Sequence, residues 1–69
     1  MALTKKHFIA IAADFKRQID EDRASPDMTQ RDKDAAFESM NILARKLSNT
    51  FRAENSNFDG ERFLAACGF

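Results

Sequence analysis

The longest regular alternation of apolar and polar positions runs from Thr29 to Glu54. Within it, five apolar residues follow one another at spacings of four, three, four and four: Ala36, Met40, Leu43, Leu47 and Phe51. On a helix these side chains share one face, which Phe37 and Ala44 widen. The pattern predicts an amphipathic helix over residues 29–54 that buries this face.

A second apolar face precedes it and predicts a first helix over about residues 4–23, capped at Thr4. Its members recur at helical spacing, with Ile9 at the margin: Phe8, Ile11, Ala12, Phe15 and Ile19. Pro26 interrupts the pattern because proline neither donates a backbone hydrogen bond nor permits helical geometry before it. Thr29 with Asp32 is a variant of the capping box that starts the next helix. The short connection favours an antiparallel hairpin.

The last segment predicts a short helix over about residues 60–67. Asn55 to Asn57 is turn-forming, Asp59 suits an N-cap, and Gly68 suits the left-handed position after a helix. A helix of two turns is unstable alone. We therefore expect it to dock on the hairpin through Phe58, Phe63, Leu64 and Phe69.

These three segments predict one all-α domain over residues 1–69, an antiparallel helical hairpin closed by a short third helix. Its expected core is mainly aromatic and aliphatic: Phe8, Phe15, Met40, Leu43, Leu47, Phe51 and Phe63. A chain of 69 residues buries a thin core. With one cysteine it forms no internal disulfide, so its stability must come from dense packing of seven phenylalanines or from self-association.

Charge argues against two classes of protein and leaves one basic region. Eleven basic and eleven acidic residues give a net charge of zero, unlike the basic excess of nucleic-acid binders or the acidic excess of DNA mimics. Residues 1–19 carry four bases and one acid (+3), and residues 20–34 carry three bases and six acids (−3). If nucleic acid is contacted at all, the most basic region would do it: Lys5, Lys6, Lys16 and Arg17.

No residue pattern indicates catalysis, a metal or a cofactor. His7 and Cys67 are the single histidine and the single cysteine, and nucleophilic catalysis would need them in hydrogen-bond contact with a third orienting group. A thiol that follows two alanines on a short helix is usually buried and inert. The position of His7 is more typical of a solvated or capping side chain. The acids of residues 20–27 lack the ligand pattern of a calcium loop. We expect a protein that is not an enzyme.

The chain contains neither an apolar run long enough to span a membrane nor the apolar segment of a secretory signal. The expected location is therefore the cytoplasm.

One apolar residue falls on the polar side of the second helix. Ile42 lies opposite the main apolar face and a heptad after Ala35, among polar residues. Plain exposure is one interpretation, since single exposed apolar residues are common. The other is a protein-binding face covered by a host factor or by a second copy: Ala35, Ile42, Lys46 and Asn49.

The C-terminal residues 57–68, NFDGERFLAACG, resemble the F-D-x-x-R-F-L-x-A-C-G ending of small uncharacterised proteins encoded by tailed phages, prophages and mobile elements. Gly60 stands where a charged residue or proline would be expected. The resemblance implies a phage or mobile-element origin, and hence the cytoplasm of a bacterial host, but no activity.

The function predicted from these features is protein binding, with inhibition or redirection of a host factor such as a defence complex, not by DNA mimicry. Two alternatives remain open. One is a small dimeric nucleic-acid-associated regulatory protein, and the other is a structural phage component.

Overall fold

The computed structural model describes residues 4–69, which form three α-helices and no strand: α1 (Lys5–Ala24), α2 (Gln30–Glu54) and α3 (Gly60–Cys67). The all-α class is therefore confirmed. Observed and predicted helix ends differ by no more than one residue, as expected for boundaries that caps, proline and glycine determine.

Side chains next to the first turns of α1 and α2 cap them. His7 Nδ1 accepts a hydrogen bond from the backbone N–H of Thr4 at 3.0 Å. Thr29 Oγ1 accepts from the Asp32 N–H at 3.1 Å, and Asp32 Oδ2 accepts from the Thr29 N–H at 3.3 Å. These bonds satisfy backbone donors that lack partners within the helix. His7 is thus a capping residue of α1.

Contacts between α1 and α2 show that the hairpin is antiparallel. Near the start of α1, the Phe8 ring lies 4.9 Å from the Phe51 ring, near the end of α2. At the other end, Lys33 Nζ donates to the Arg23 carbonyl at 2.8 Å, and the Arg23 guanidinium lies 5.6 Å from the Phe37 ring centre. Early residues of one helix therefore meet late residues of the other.

Helix α3 packs against both long helices and lies along the groove between them. Just before it, the Phe58 ring is 4.6 Å from Phe8 and 5.5 Å from Phe51. Just after it, the Phe69 ring is 6.2 Å from Phe15 and 5.1 Å from Phe37. Helix α3 thus starts at the open end of the hairpin and reaches its middle, and the body measures 40 × 19 × 18 Å.

The buried core lies where the three helices meet. Half of its buried apolar residues are small and half are large: Ala12, Ala44 and Cys67, and Ile19, Phe51 and Phe63. Partly buried residues surround them, including the expected inward group of the third segment: Phe8, Ile11, Phe15, Leu47, Phe58, Leu64 and Phe69. Small side chains let helix backbones approach one another, while the phenylalanines fill the space around them.

The prediction that Leu43 lies in the core is wrong. Its side chain is 52% exposed, whereas Ala44, Ser48 and Phe51 are buried. The buried face of α2 is therefore turned by about 60° from the predicted apolar face, at about 100° per residue. The cause is α3, which packs on the side of α2 that carries Ser48. Met40, also expected in the core, is only partly buried.

Candidate functional site

The side of α2 that faces away from the core carries the predicted protein-binding residues together. We call it the outer face: Ala35, Ile42, Lys46 and Asn49. All four are exposed, and Ile42 is 50% exposed. Helix geometry places them within about 60° of one another around the axis. Within residues 4–69, the side chains of Lys46 and Asn49 make no hydrogen bond or ion pair, so both are available to a partner.

On another side of α2 lies a second apolar strip, which the sequence pattern assigned to the core. We call it the seam: Ala36, Met40, Leu43 and Leu47. Leu43 is half exposed and the other three are partly buried. The centre of the seam lies roughly 120° around the helix from that of the outer face. Sequence reasoning identified these apolar residues but not their exposure, which depends on where α3 docks.

The four basic residues of the first segment do not form one patch. Lys5 and Lys16 lie on one side of α1, and Lys6 and Arg17 lie about 100° away. Lys16 Nζ is 2.8 Å from an Asp20 carboxylate oxygen, and Arg17 Nη2 is 3.3 Å from one of Asp14. Two of the four charges therefore have acidic neighbours on the same helix.

A third exposed apolar region lies between α1 and α3 at the open end of the hairpin. Ile9 is 60% exposed there and borders an open hollow of about 500 Å³. Aromatic and polar side chains line it, including Phe8, Phe58, Phe63, Lys5 and Arg62. The sequence placed Ile9 at the margin of its face, but a hollow that two helices create has no local sequence pattern.

The only thiol–imidazole pair that the sequence offers is not assembled. Gly68, the residue after Cys67, lies against Lys16 and Ile19, more than two turns along α1 from His7. Cys67 is buried, and burial raises the pKa of its thiol from 9.0 to about 11, because the thiolate would lose its hydration. A thiol in this state is protonated at neutral pH and is a poor nucleophile.

Residues 4–69 contain neither a metal-ligand cluster nor a membrane-spanning helix. The described part of the chain contains no group of three or more His, Cys, Asp or Glu side chains placed to hold a metal ion. None of its helices combines the length and apolar character needed to cross a membrane.

Comparison of the chain with family models, curated proteins and solved structures gives no match.

Proposed function

We propose that this protein acts by binding another protein through the outer face of α2. The observation that supports this most is the half-exposed Ile42 on the side of α2 that faces away from α1 and α3. It is an apolar centre with Lys46 and Asn49 beside it, the arrangement of a small interface with an apolar middle and a polar rim.

The helix that carries this face is suited to binding without rearrangement. Helix α2 has 25 residues and is anchored by a capping box at Thr29 and by the buried Phe51 near its end. A surface on such a rigid element loses little conformational entropy when a partner docks. Ala35, one heptad before Ile42, adds a small residue that permits close approach of a partner helix.

The proposed partner is a bacterial host protein, and binding would inhibit or redirect it. The resemblance of residues 57–68 to endings of phage and mobile-element proteins supports this partner, and the bacterial cytoplasm is the proposed location of the complex. A net charge of zero argues against action by imitation of DNA, which requires a strongly acidic surface.

The experiment is affinity capture from bacterial lysate by tagged wild-type protein, Ile42→Asp and Ile9→Asp. Ile9 is a matched control, because it is also an exposed isoleucine on a long helix but lies in a different region. We expect a specific protein to be captured by wild type and Ile9→Asp and lost with Ile42→Asp. Equal capture by all three proteins, or loss with Ile9→Asp alone, would contradict the proposal.

A further inference from the structure

Helix α2 carries more apolar surface than α1 and α3 cover. One stripe, which contains Ala44 and Phe51, is buried inside the molecule. The seam lies beside that stripe, and its residues follow one another at spacings of four, three and four: Ala36, Met40, Leu43 and Leu47. Alternation of three and four is the heptad spacing by which one helix packs along another in a coiled coil.

The seam faces away from α3. Helix α3 lies against the side of α2 that carries Ser48 and Arg52. A Cβ added at Gly60 would be 2.6 Å from Ser48 Oγ and 2.9 Å from Arg52 Nη2. On α1, Gly68 lies against Lys16 and Ile19, on the side away from Ile11. Ile11 itself is partly buried and packs against the core. One groove of the hairpin is filled by α3, and on the other side the seam is half exposed at Leu43 and partly exposed at Ala36, Met40 and Leu47.

We propose that a second copy of this chain covers the seam, so that two hairpins form a symmetric dimer with four long helices. In a two-fold symmetric interface, the same surface of each copy contacts the other copy. When two copies of α2 run antiparallel and face each other at the centre of the seam, the seam of one copy contacts the seam of the other. The outer face lies to the side of this contact, so each dimer would present two copies of the outer face.

Charge favours the antiparallel arrangement. Residues 20–34, at the closed end of the hairpin, sum to −3, whereas the charges at the open end, which are Lys5, Lys6, Arg52 and Arg62 against Glu54, Asp59 and Glu61, sum to +1. Antiparallel pairing lays the acidic end of each copy over the open end of the other, and parallel pairing would bring the two acidic ends together. Because these charges are exposed, salt would weaken their contribution.

The first test is sedimentation of the whole chain at micromolar to millimolar concentrations. We expect wild type and Ile9→Asp to approach twice 7.8 kDa, and Leu43→Asp to raise the dimer dissociation constant at least tenfold. Leu43→Lys, which introduces the opposite charge, should raise the dimer dissociation constant as well. Circular dichroism should show the same helix content for both variants as for wild type. A monomeric wild type, an undisturbed Leu43→Asp dimer, or assembly beyond a dimer would overturn the proposal.

The second test determines the orientation by disulfide formation between Ala36→Cys and Thr50→Cys proteins. In an antiparallel dimer centred on the seam, position 36 of one copy lies opposite position 47 of the other and within about 5 Å of position 50 along the axis, while two copies of position 36 are about 16 Å apart along the axis. We expect mixed disulfides to exceed both homodimers on mild oxidation. Preferential Ala36→Cys homodimers would indicate a parallel arrangement and contradict the proposal.

These tests are separate from that of the proposed function. Ile42 belongs to the outer face and Leu43 to the seam, so each interaction has its own substitution. A monomeric protein whose host partner is lost with Ile42→Asp would refute the dimer and keep the proposed function. A dimer that Leu43→Asp disrupts, together with capture of the host protein that Ile42→Asp leaves unchanged, would support the dimer and refute the proposed function.

Discussion

Gly60 lies so close to Ser48 that a β-carbon on Gly60 would be 2.6 Å from the serine Oγ. The same carbon would be 2.9 Å from Nη2 of Arg52. Both glycine and serine are buried, so the first turn of α3 rests directly on the surface of α2. Residue 60 must therefore lack a side chain, and this explains why the C-terminal segment has glycine there.

Gly60→Ala should lower the free energy of unfolding by about 1 to 3 kcal/mol, the usual cost of overpacking. This reverses the usual sign, since alanine is favoured over glycine within helices. Ser48→Ala combined with Gly60→Ala should recover part of the loss, because the serine hydroxyl is then gone and Arg52 is long enough to move. Urea denaturation measures both, with the exposed Glu61→Ala as control. A stabilised Gly60→Ala would disprove the close approach.

Loss of stability at alkaline pH should depend on Cys67. Burial raises the pKa of its thiol to about 11 in the folded protein, against 9.0 when the thiol is exposed. Between these values the unfolded chain releases the proton and the folded chain keeps it. Stability is therefore intact below pH 9 and falls as pH rises towards 11, by at most about 2 to 3 kcal/mol.

The measurement is urea denaturation at pH 8 and pH 10.5 for wild type and Cys67→Ala. Lysines and arginines are common to both proteins, so the difference between their pH dependences isolates the thiol. We expect a steeper loss for wild type. Equal slopes would show that the thiol is hydrated in the folded state.

Residues 43 and 51 should respond differently to truncation, although the sequence pattern places both in one apolar face. Phe51→Ala should cost about 3 to 5 kcal/mol because the ring is buried against Phe8, Phe58 and Phe63. Leu43→Ala should cost below about 1 kcal/mol, since half of that side chain is already in water. Denaturation must be measured at concentrations where the chain is monomeric. Similar losses would restore Leu43 to the core.

The sequence was sufficient for the helices, because their limits depend on local chemistry. Pro26 stops α1, Thr29 with Asp32 starts α2, and Asp59 and Gly68 bound α3. The sequence did not show which side of α2 is buried. That helix is apolar over a wide arc, and periodicity alone does not show which part of the arc a third helix covers.

For the same reason, Ile42 could be placed on the exposed side of α2 while the exposure of Leu43 was missed. Ser48 and Gly60 gave no hydrophobic pattern, yet their small size determines where α3 rests. The hollow beside Ile9 arises only when two distant segments come together.

Phe69 should contribute to stability although it follows the last helix. Its ring packs edge-on against Phe37 and Phe15, with centres 5.1 and 6.2 Å apart, and its N–H donates to the Leu64 carbonyl at 2.9 Å. Phe69→Ala should lower the melting temperature through a loss of about 1 to 3 kcal/mol. Phe69→Leu, as the control, should lose less. An unchanged melting temperature for Phe69→Ala would mean that α3 is held without it.

The most direct measurement of the central claim, that the outer face of α2 is where this protein binds its partner, is photocrosslinking in living bacteria. A photoreactive residue would replace Asn49 on the outer face or, as control, the exposed Ala10 of α1. The account predicts a discrete adduct with a bacterial protein from position 49, weak or absent from position 10, and abolished by Ile42→Asp. No adduct from position 49, or one that survives Ile42→Asp unchanged, would contradict it.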